Sequence, residues 1–351
     1  MNDDMQQRLQ DCCVRAFPDR QEVRVSNLAR IGAGWETEIH SFDIEYQLAT
    51  QSRREGVVVR LYPGNGAAAK AAHEFRSMRQ LYDSGYPVPR ALALVGDSAP
   101  LGRPFILMER IDGEVLWPLL MGSTGERQRQ MLTLFCELFV RLHRLDWRPF
   151  VADAARYERD RPTYAFVDGW LGEARAAVAH FSLPGFERLV DWLQERRDLL
   201  PCPEPSVVHW DFHPFNILLR TDGSPVVIDW AGLQVTDARL DLAWTLLLTS
   251  AYAGAEWRDP ILHEYERLAG ARVDQIELFE ALACARRLFD VTVSLSEGAE
   301  RLGMRPEAVT RMQQQREPLQ RVYDLLQART GLRVEAVETA LASLAPDLGQ
   351  P

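Results

Sequence analysis

Cysteine is scarce and shows no pairing pattern. Cys12, Cys13, Cys136, Cys202 and Cys284 are scattered, odd in number and without a C-x-x-C spacing. That argues against a disulfide framework or a zinc ribbon and fits reduced thiols in a cytosolic enzyme. Positive charge is in deficit, with 40 Lys and Arg against 50 Asp and Glu and a formal net charge of -10. Nonspecific nucleic-acid binding needs a basic footprint, so no nucleic-acid partner is expected. The acidity is compatible with a cationic substrate without demanding one. Long apolar runs are missing too. The greasiest stretch, Leu240 to Ala255, is interrupted by Asp241, Thr245, Thr249 and Ser250, too short and too polar for a membrane span. The first twenty residues carry acids early and no apolar centre, unlike a signal peptide. The expected location is cytoplasmic. There is no repeat and no low-complexity tract.

What remains is a chain of 351 residues with 46% hydrophobic and 26% charged residues, a globular balance with room for two lobes. It is organised around Val207-Val208-His209-Trp210-Asp211-Phe212-His213-Pro214-Phe215-Asn216-Ile217-Leu218-Leu219, followed by Pro225-Val226-Val227-Ile228-Asp229-Trp230. This reads as a short strand, a polar loop and a hairpin turned at Asp222-Gly223. The hairpin brings Asn216, at the start of one arm, towards Asp229, at the end of the other. Asp211 hangs in the loop just before. Two carboxylates and an amide on one small volume suit phosphoryl transfer: a hard cation takes oxygen ligands beside nucleotide phosphates, and a carboxylate can receive the proton of an acceptor hydroxyl.

The pattern His209-x-Asp211-x-x-x-x-Asn216, then Ile228-Asp229-Trp230, resembles the aminoglycoside phosphotransferase and choline kinase superfamily, small-molecule relatives of the protein kinases. Asp241-Leu242-Ala243 is similar to the helix start that follows the second metal aspartate there. The resemblance implies Asp211 as catalytic base, His209 as a brace of the loop, and Asn216 and Asp229 as holders of Mg²⁺. It runs from about residue 30 to about 248, and more loosely to about 295. Small residues, often glycine, usually stand where this chain has Trp210 and Phe215, which suggests a more hydrophobic wall beside the loop.

The remaining expectations follow the chain. Residues 1–20 read as a helix ended by Pro18, and residues 23–61 as strands, with Phe42, Ile44 and Tyr46 alternating with polar positions. Gly32 and Gly34 in the turn between two strands can let backbone N–H groups approach a triphosphate. In the superfamily the third strand carries a lysine that grips the phosphates; here Arg60 stands there. An arginine can fork onto two phosphate oxygens, and Glu74, on a helix from 67 to 83, is its expected partner. Lys70 is the weaker alternative because it lies on that helix. The stretch 104–113 resembles the hinge between lobes, where the carbonyl of Glu109 and the N–H of Ile111 would meet adenine.

Beyond 113 the expectation is helical: 125–147, a polar and broken stretch over 148–162, helices at 166–180, 186–200 and 241–250, two over 257–297 and two over 304–347. Asp237, Asp259, Glu280 and Asp290 are candidate acceptor-pocket acids, though exposed helix charge fits each better. His143 reads as a packing residue, and Trp230 and Trp244 as core.

The expected fold is α+β, a two-lobed protein-kinase-like fold. It has an N-terminal helix (1–20), a small antiparallel β lobe with one helix (21–108), a hinge (109–113) and a mainly helical lobe (114–351), with ATP in the cleft. The expected reaction moves the γ-phosphoryl group of ATP, with Mg²⁺, to a hydroxyl of a small molecule such as an aminoglycoside, amino alcohol or sugar. Two other readings stay open: a catalytically silent nucleotide-binding module, and a metallohydrolase using His209, Asp211 and His213. No sequence feature sets the oligomeric state.

Overall fold

A computed structural model describes residues 2–33, 37–197, 199–202, 204–298 and 307–344. In chain order these are helix α1 (Asn2–Ala16), strands β1 (Gln21–Ala33), β2 (Glu38–Leu48) and β3 (Gln51–Leu61), helix α2 (Ala67–Asp83), strands β4 (Ala91–Val95), β5 (Phe105–Glu109) and β6 (Gly113–Val115), and helix α3 (Leu116–Met121). Helices α4 (Gly125–His143), α5 (Ala154–Asp160), α6 (Ala165–Phe181) and α7 (Phe186–Arg197) follow, then strands β7 (Ser206–Val208), β8 (Ile217–Arg220), β9 (Pro225–Val227) and β10 (Gln234–Thr236). Helices α8 (Ala238–Tyr252), α9 (Arg258–Ala269), α10 (Ile276–Glu297), α11 (Glu307–Gln313), α12 (Arg316–Thr330) and α13 (Glu335–Ser343) complete the series.

The chain divides into two compact units, residues 1–119 with 215–233, and residues 120–214 with 234–351. A boundary at 114 would leave the hairpin of β8 and β9 in the second unit. It goes instead with the first, because β8 pairs antiparallel with β6, Val115 opposite Leu218 and Gly113 opposite Arg220. Glycine is required at 113, since a Cβ there would run into the Leu219 carbonyl.

In the first unit a five-stranded antiparallel sheet has the order β1-β2-β3-β5-β4. Its core joins Leu9, Cys12 and Cys13 of α1 to Val25, Phe42, Ile44, Val57, Val59, Phe105 and Leu107 of the sheet. The alternation expected along β2 holds for Phe42, Ile44 and Tyr46, but Asp43 on the other face is buried as well, 5% exposed. It accepts hydrogen bonds from Asn27 (2.7 Å), Arg54 (2.5 Å) and Arg110 (2.7 Å). Arg54, Asn27 and Arg110 together hold its carboxyl well below the usual carboxylate range, against the effect of burial.

Asp43→Ala should therefore cost about 2 kcal/mol, because two arginines and an amide lose their acceptor. A group with a lowered folded pKa stabilises above its unfolded value and loses that contribution as pH falls. The gap in urea midpoint between wild type and variant should narrow below about pH 4; a gap that stays constant down to about pH 2 would remove Asp43 from this role.

The second unit is mainly helical, with one two-stranded pair, β7 and β10. Helix α8 is held at its start by Asp237, whose side chain accepts from the Arg239 backbone N–H at 2.9 Å. Two expectations are corrected here. The stretch 148–162 is not a plain loop: it contains α5, started by Asp153 accepting from the Arg156 backbone N–H at 2.9 Å. The C-terminal region holds three helices among the described residues, not two, since α11 precedes the pair separated at Gly331. No helix of the described residues is long and apolar enough to cross a membrane.

Candidate active site

The first unit carries one group of the candidate residues. Arg60, on β3 and 8% exposed, donates from Nη1 to Glu74 Oε1 at 3.0 Å and pairs through Nη2 with Asp229 Oδ1 at 2.8 Å. The Tyr62 hydroxyl donates to the other oxygen of Glu74. Burial opposes the guanidinium charge of Arg60, but Asp229 and Glu74 outweigh it and raise its pKa. Glu74 is 1% exposed, and burial pushes its carboxyl up despite Arg60.

Glu74 reaches Arg60 because α2 is amphipathic: Ala71, Glu74, Met78 and Leu81 share its buried face. Lys70, the only lysine of the chain, is on the exposed side. Asn216 and Asp229 flank the open end of the hairpin, where the Ile228 N–H donates to the Asn216 carbonyl at 2.9 Å. Asp229 has φ 70°, a left-handed conformation at the start of a short 3-10 turn, and 41% of its side chain is open to solvent.

Around the remaining positions of this unit, Gly32 lies in β1 opposite Ile39. Gly34 falls outside the described residues. Glu109 ends β5, and its side chain accepts from Arg220 (2.8 Å) and the Arg90 N–H (3.1 Å). Ile111 follows, half-buried, before β6.

The second unit supplies the loop after β7. Asp241, fully buried on α8, receives the backbone N–H of His209 at 2.7 Å and that of Trp210 at 2.9 Å. The His143 Nε2 is 3.3 Å from the same carboxyl, and the Tyr265 hydroxyl is 2.7 Å from His143 Nδ1. His143 is thus a hydrogen-bonded prop rather than simple packing. His209, wholly buried, accepts from the Asp211 N–H through Nδ1 at 3.2 Å. Thr245 closes the loop by donating to the Phe212 carbonyl at 2.6 Å.

Asp211 emerges from this frame with 47% of its side chain exposed, its Oδ1 3.3 Å from Trp244 Nε1 and its Oδ2 3.3 Å from His213 Nε2. Burial would raise its pKa, but His213, His209 and Trp244 together hold it at about 2. Trp210 has φ 68°, a conformation that favours glycine and costs a tryptophan on the order of 1 kcal/mol or more. It is retained there by the bond to Asp241 and by packing on Phe166, with ring centroids 4.7 Å apart.

The candidate acids of the second unit are not uniformly exposed charges. Glu280 is fully buried and takes both Arg258 (2.6 Å) and Arg329 (2.8 Å). Asp237 is 3% exposed and binds Arg239 and the Tyr164 hydroxyl. Both are structural. Asp259 is exposed beside Arg258. Asp290 lies half-buried on α10, and burial pushes it up to about 6. Trp230 is core at 0% exposed, while Trp244, at 9%, is both buried and next to Asp211.

Among the described residues no cluster of three or more His, Cys, Asp and Glu is arranged to hold a metal ion, which leaves the His209, Asp211 and His213 metal set without support. The sequence profile of the phosphotransferase enzyme family matches residues 40–278. The chain belongs to that family.

Among solved structures, this phosphotransferase-family chain is similar to a provisionally assigned aminoglycoside phosphotransferase of Ralstonia eutropha JMP134, with TM-score 0.59, 17% identity, and 93% of this chain and 98% of that one covered. It is also similar to the GDP and kanamycin complex of an APH(2″) protein, with TM-score 0.58, 14% identity, and 92% and 98% covered. A third is the ternary complex of APH(4)-Ia with AMP-PNP and hygromycin B, with TM-score 0.52, 16% identity, and 96% and 98% covered. At these identities the likeness speaks for the fold, which is α+β and protein-kinase-like.

In sequence the family member here is 32% identical over 199 residues to acyl-CoA dehydrogenase family member 10 of Mus musculus, 54% of this chain and 18% of that protein. It is 29% identical over 182 residues to acyl-CoA dehydrogenase family member 11 of Gallus gallus, 50% of this chain and 23% of that protein. The match thus spans about a fifth of the length of these curated relatives.

Proposed function

We propose that this protein transfers the γ-phosphoryl group of ATP to a hydroxyl of a small molecule. The observation that carries the reading is Asp211, half open to solvent, on a loop whose backbone is tied at two successive N–H groups to the buried Asp241. Such a carboxylate can align an acceptor hydroxyl and receive its proton, and most of the rate gain in phosphoryl transfer is positioning and charge neutralisation. Neighbours in fold are complexes with GDP and with AMP-PNP, which supports a nucleotide as donor. Arg60, held charged, would grip phosphate oxygens as a fork. Glu74 would orient it. Glu109 and Ile111 would meet adenine through their backbone, and Gly32 would approach the phosphates.

Asn216 and Asp229 offer an amide oxygen and a partly exposed carboxylate on one hairpin, a hard-oxygen donor set that fits Mg²⁺. When bound there, Mg²⁺ would neutralise phosphate charge. Asp229→Ala should weaken Mg²⁺-dependent ATP binding at least tenfold, as read by calorimetry with and without the metal; unchanged affinity would remove Asp229 from the metal site.

One observation favours a second reading, a nucleotide-binding module without turnover: Asp229 Oδ1 is already engaged by Arg60 at 2.8 Å. Nucleotide must exchange that pair for phosphate and metal contacts. Incubation of the pure protein with MgATP and a panel of hydroxylated metabolites, read as ADP release and preceded by a thermal-shift screen, separates the two. ATP binding with no acceptor-dependent ADP release across the panel would favour the silent module.

A further inference from the structure

The second unit contains a shallow recess lined by Phe166, Trp170, Trp210, Trp244, Phe279 and Arg286, with aliphatic neighbours. Among the described residues Arg286 is the one charged residue lining it. Its guanidinium carbon stands 5.4 Å from the centre of the Phe166 ring, 4.9 Å from Trp210 and 4.8 Å from Trp244. Three lining residues carry a buried N–H group with no acceptor among the described residues: Arg286 Nη1, Trp170 Nε1 and Trp210 Nε1. Buried donors left unmet are costly, and three around one recess call for a ligand that brings acceptor oxygens. Burial also drags Arg286 below the ordinary arginine range although Asp290 and Asp211 act against it, so a further negative charge in direct contact with it would relieve the site. Asp290, four residues further along α10, supplies no hydrogen bond to Nη1.

The recess adjoins the reacting group. Trp244, whose ring faces Arg286, donates through its indole N–H to Asp211 at 3.3 Å. From this juxtaposition we infer that the acceptor is a hydroxy-carboxylate: its carboxylate seats on Arg286, its apolar body lies among the tryptophans, and its hydroxyl reaches Asp211. This rests on the phosphotransferase reading and names its acceptor class. A polycation such as an aminoglycoside suits the recess less well than an anion, because the charged group on its wall is the Arg286 guanidinium. In the transfer the hydroxyl oxygen bonds to the γ-phosphorus, the bond from that phosphorus to the β–γ bridging oxygen breaks, the hydroxyl proton passes to Asp211, and ADP leaves.

The test measures binding of hydroxyhexanoates bearing the hydroxyl at successive carbons, and of phenyllactate, each against its methyl ester, with kanamycin as the polycation. Binding is read by tryptophan fluorescence and calorimetry in the presence of a non-hydrolysable ATP analogue, and turnover is read separately as ADP release and phosphorylated product with MgATP. At least one acid should bind about tenfold or more tighter than its ester, as expected for a charged hydrogen-bonded pair. Arg286→Leu should abolish that preference, and Arg286→Lys should restore part of it; a merely structural Arg286 would weaken acid and ester alike. No acid preferred over its ester, or preference surviving in Arg286→Leu, overturns the inference. Phosphorylation of kanamycin without acid binding also overturns it while leaving the phosphotransferase reading intact. Acid-selective binding without ADP release upholds the recess and defeats the phosphotransferase reading.

Discussion

Asp211→Asn is expected to lower turnover by roughly two to four powers of ten while changing MgATP affinity by less than about threefold. The substitution keeps size and shape but removes the capacity to accept a proton. Nucleotide affinity should survive because the residues assigned to phosphates and metal, Arg60, Asn216 and Asp229, are on other elements. Asp211 is held at about 2 with burial opposed by His213, His209 and Trp244, so it is ionised throughout the neutral range. It is also a weak base. On the proposed phosphotransferase reading it would orient the acceptor hydroxyl and take its proton late, once the new bond to phosphorus is forming. Wild-type turnover should then show no loss through protonation of Asp211 between pH 9 and about 4. Steady-state rates for both proteins across that range are the check. Full activity in the Asn variant would strip Asp211 of its role.

Asp241→Ala should be the most damaging single change to the site's framework. Its side chain is the acceptor for two successive buried N–H groups, those of His209 and Trp210, and lies 3.3 Å from His143. Each donor left unmet costs about 1–3 kcal/mol, so the variant should lose roughly 3–5 kcal/mol. Trp210 would also lose the bond that helps hold its left-handed backbone, and the loop would be free to redistribute. Turnover should fall at least about a hundredfold even at temperatures where the variant is fully folded, since small misplacements at a reacting group are that costly. Asp241→Asn retains an acceptor oxygen and should be intermediate in both measures. Denaturant unfolding and steady-state kinetics on the three proteins decide it. An Ala variant within about 1 kcal/mol of wild type, with normal turnover, would show that the loop holds itself.

The parts of the fold that were legible in the sequence are those with a period. Ala71, Met78 and Leu81 repeat at helical spacing before Gly85, and α2 occupies Ala67–Asp83. Phe42, Ile44 and Tyr46 alternate, and β2 is a strand. Helix α5 has no such signature: it buries no residue and stands on the cap supplied by Asp153. Burial of charge was equally hidden. Glu280 and Asp237 look like surface acids until Arg258, Arg329 and Arg239 are placed against them.

The same limit applies at the site. Asp211, Asn216 and Asp229 stand in a recognisable spacing, and Arg60 sits on the strand expected to carry a cation. Asp241 was visible only as a helix-start acid, because its bonds run to residues 31 and 32 positions away. Arg286 reads as one of two adjacent arginines on a helix. Its setting is made by Phe166, Trp210 and Trp244, all more than forty positions earlier in the chain.

The pairing of β8 with β6 has a consequence for how the chain acquires its shape during synthesis. Residues 215–233 complete a unit whose other part ends at residue 119. A ribosome must therefore extend the chain from residue 119 to residue 233 before that unit can close, and until then β6 has a bare flank of backbone donors and acceptors. An open flank of this kind invites association with other chains. The interval between residues 119 and 215 is thus a window in which the nascent protein is most exposed to misassembly, and the stage at which a chaperone would matter most.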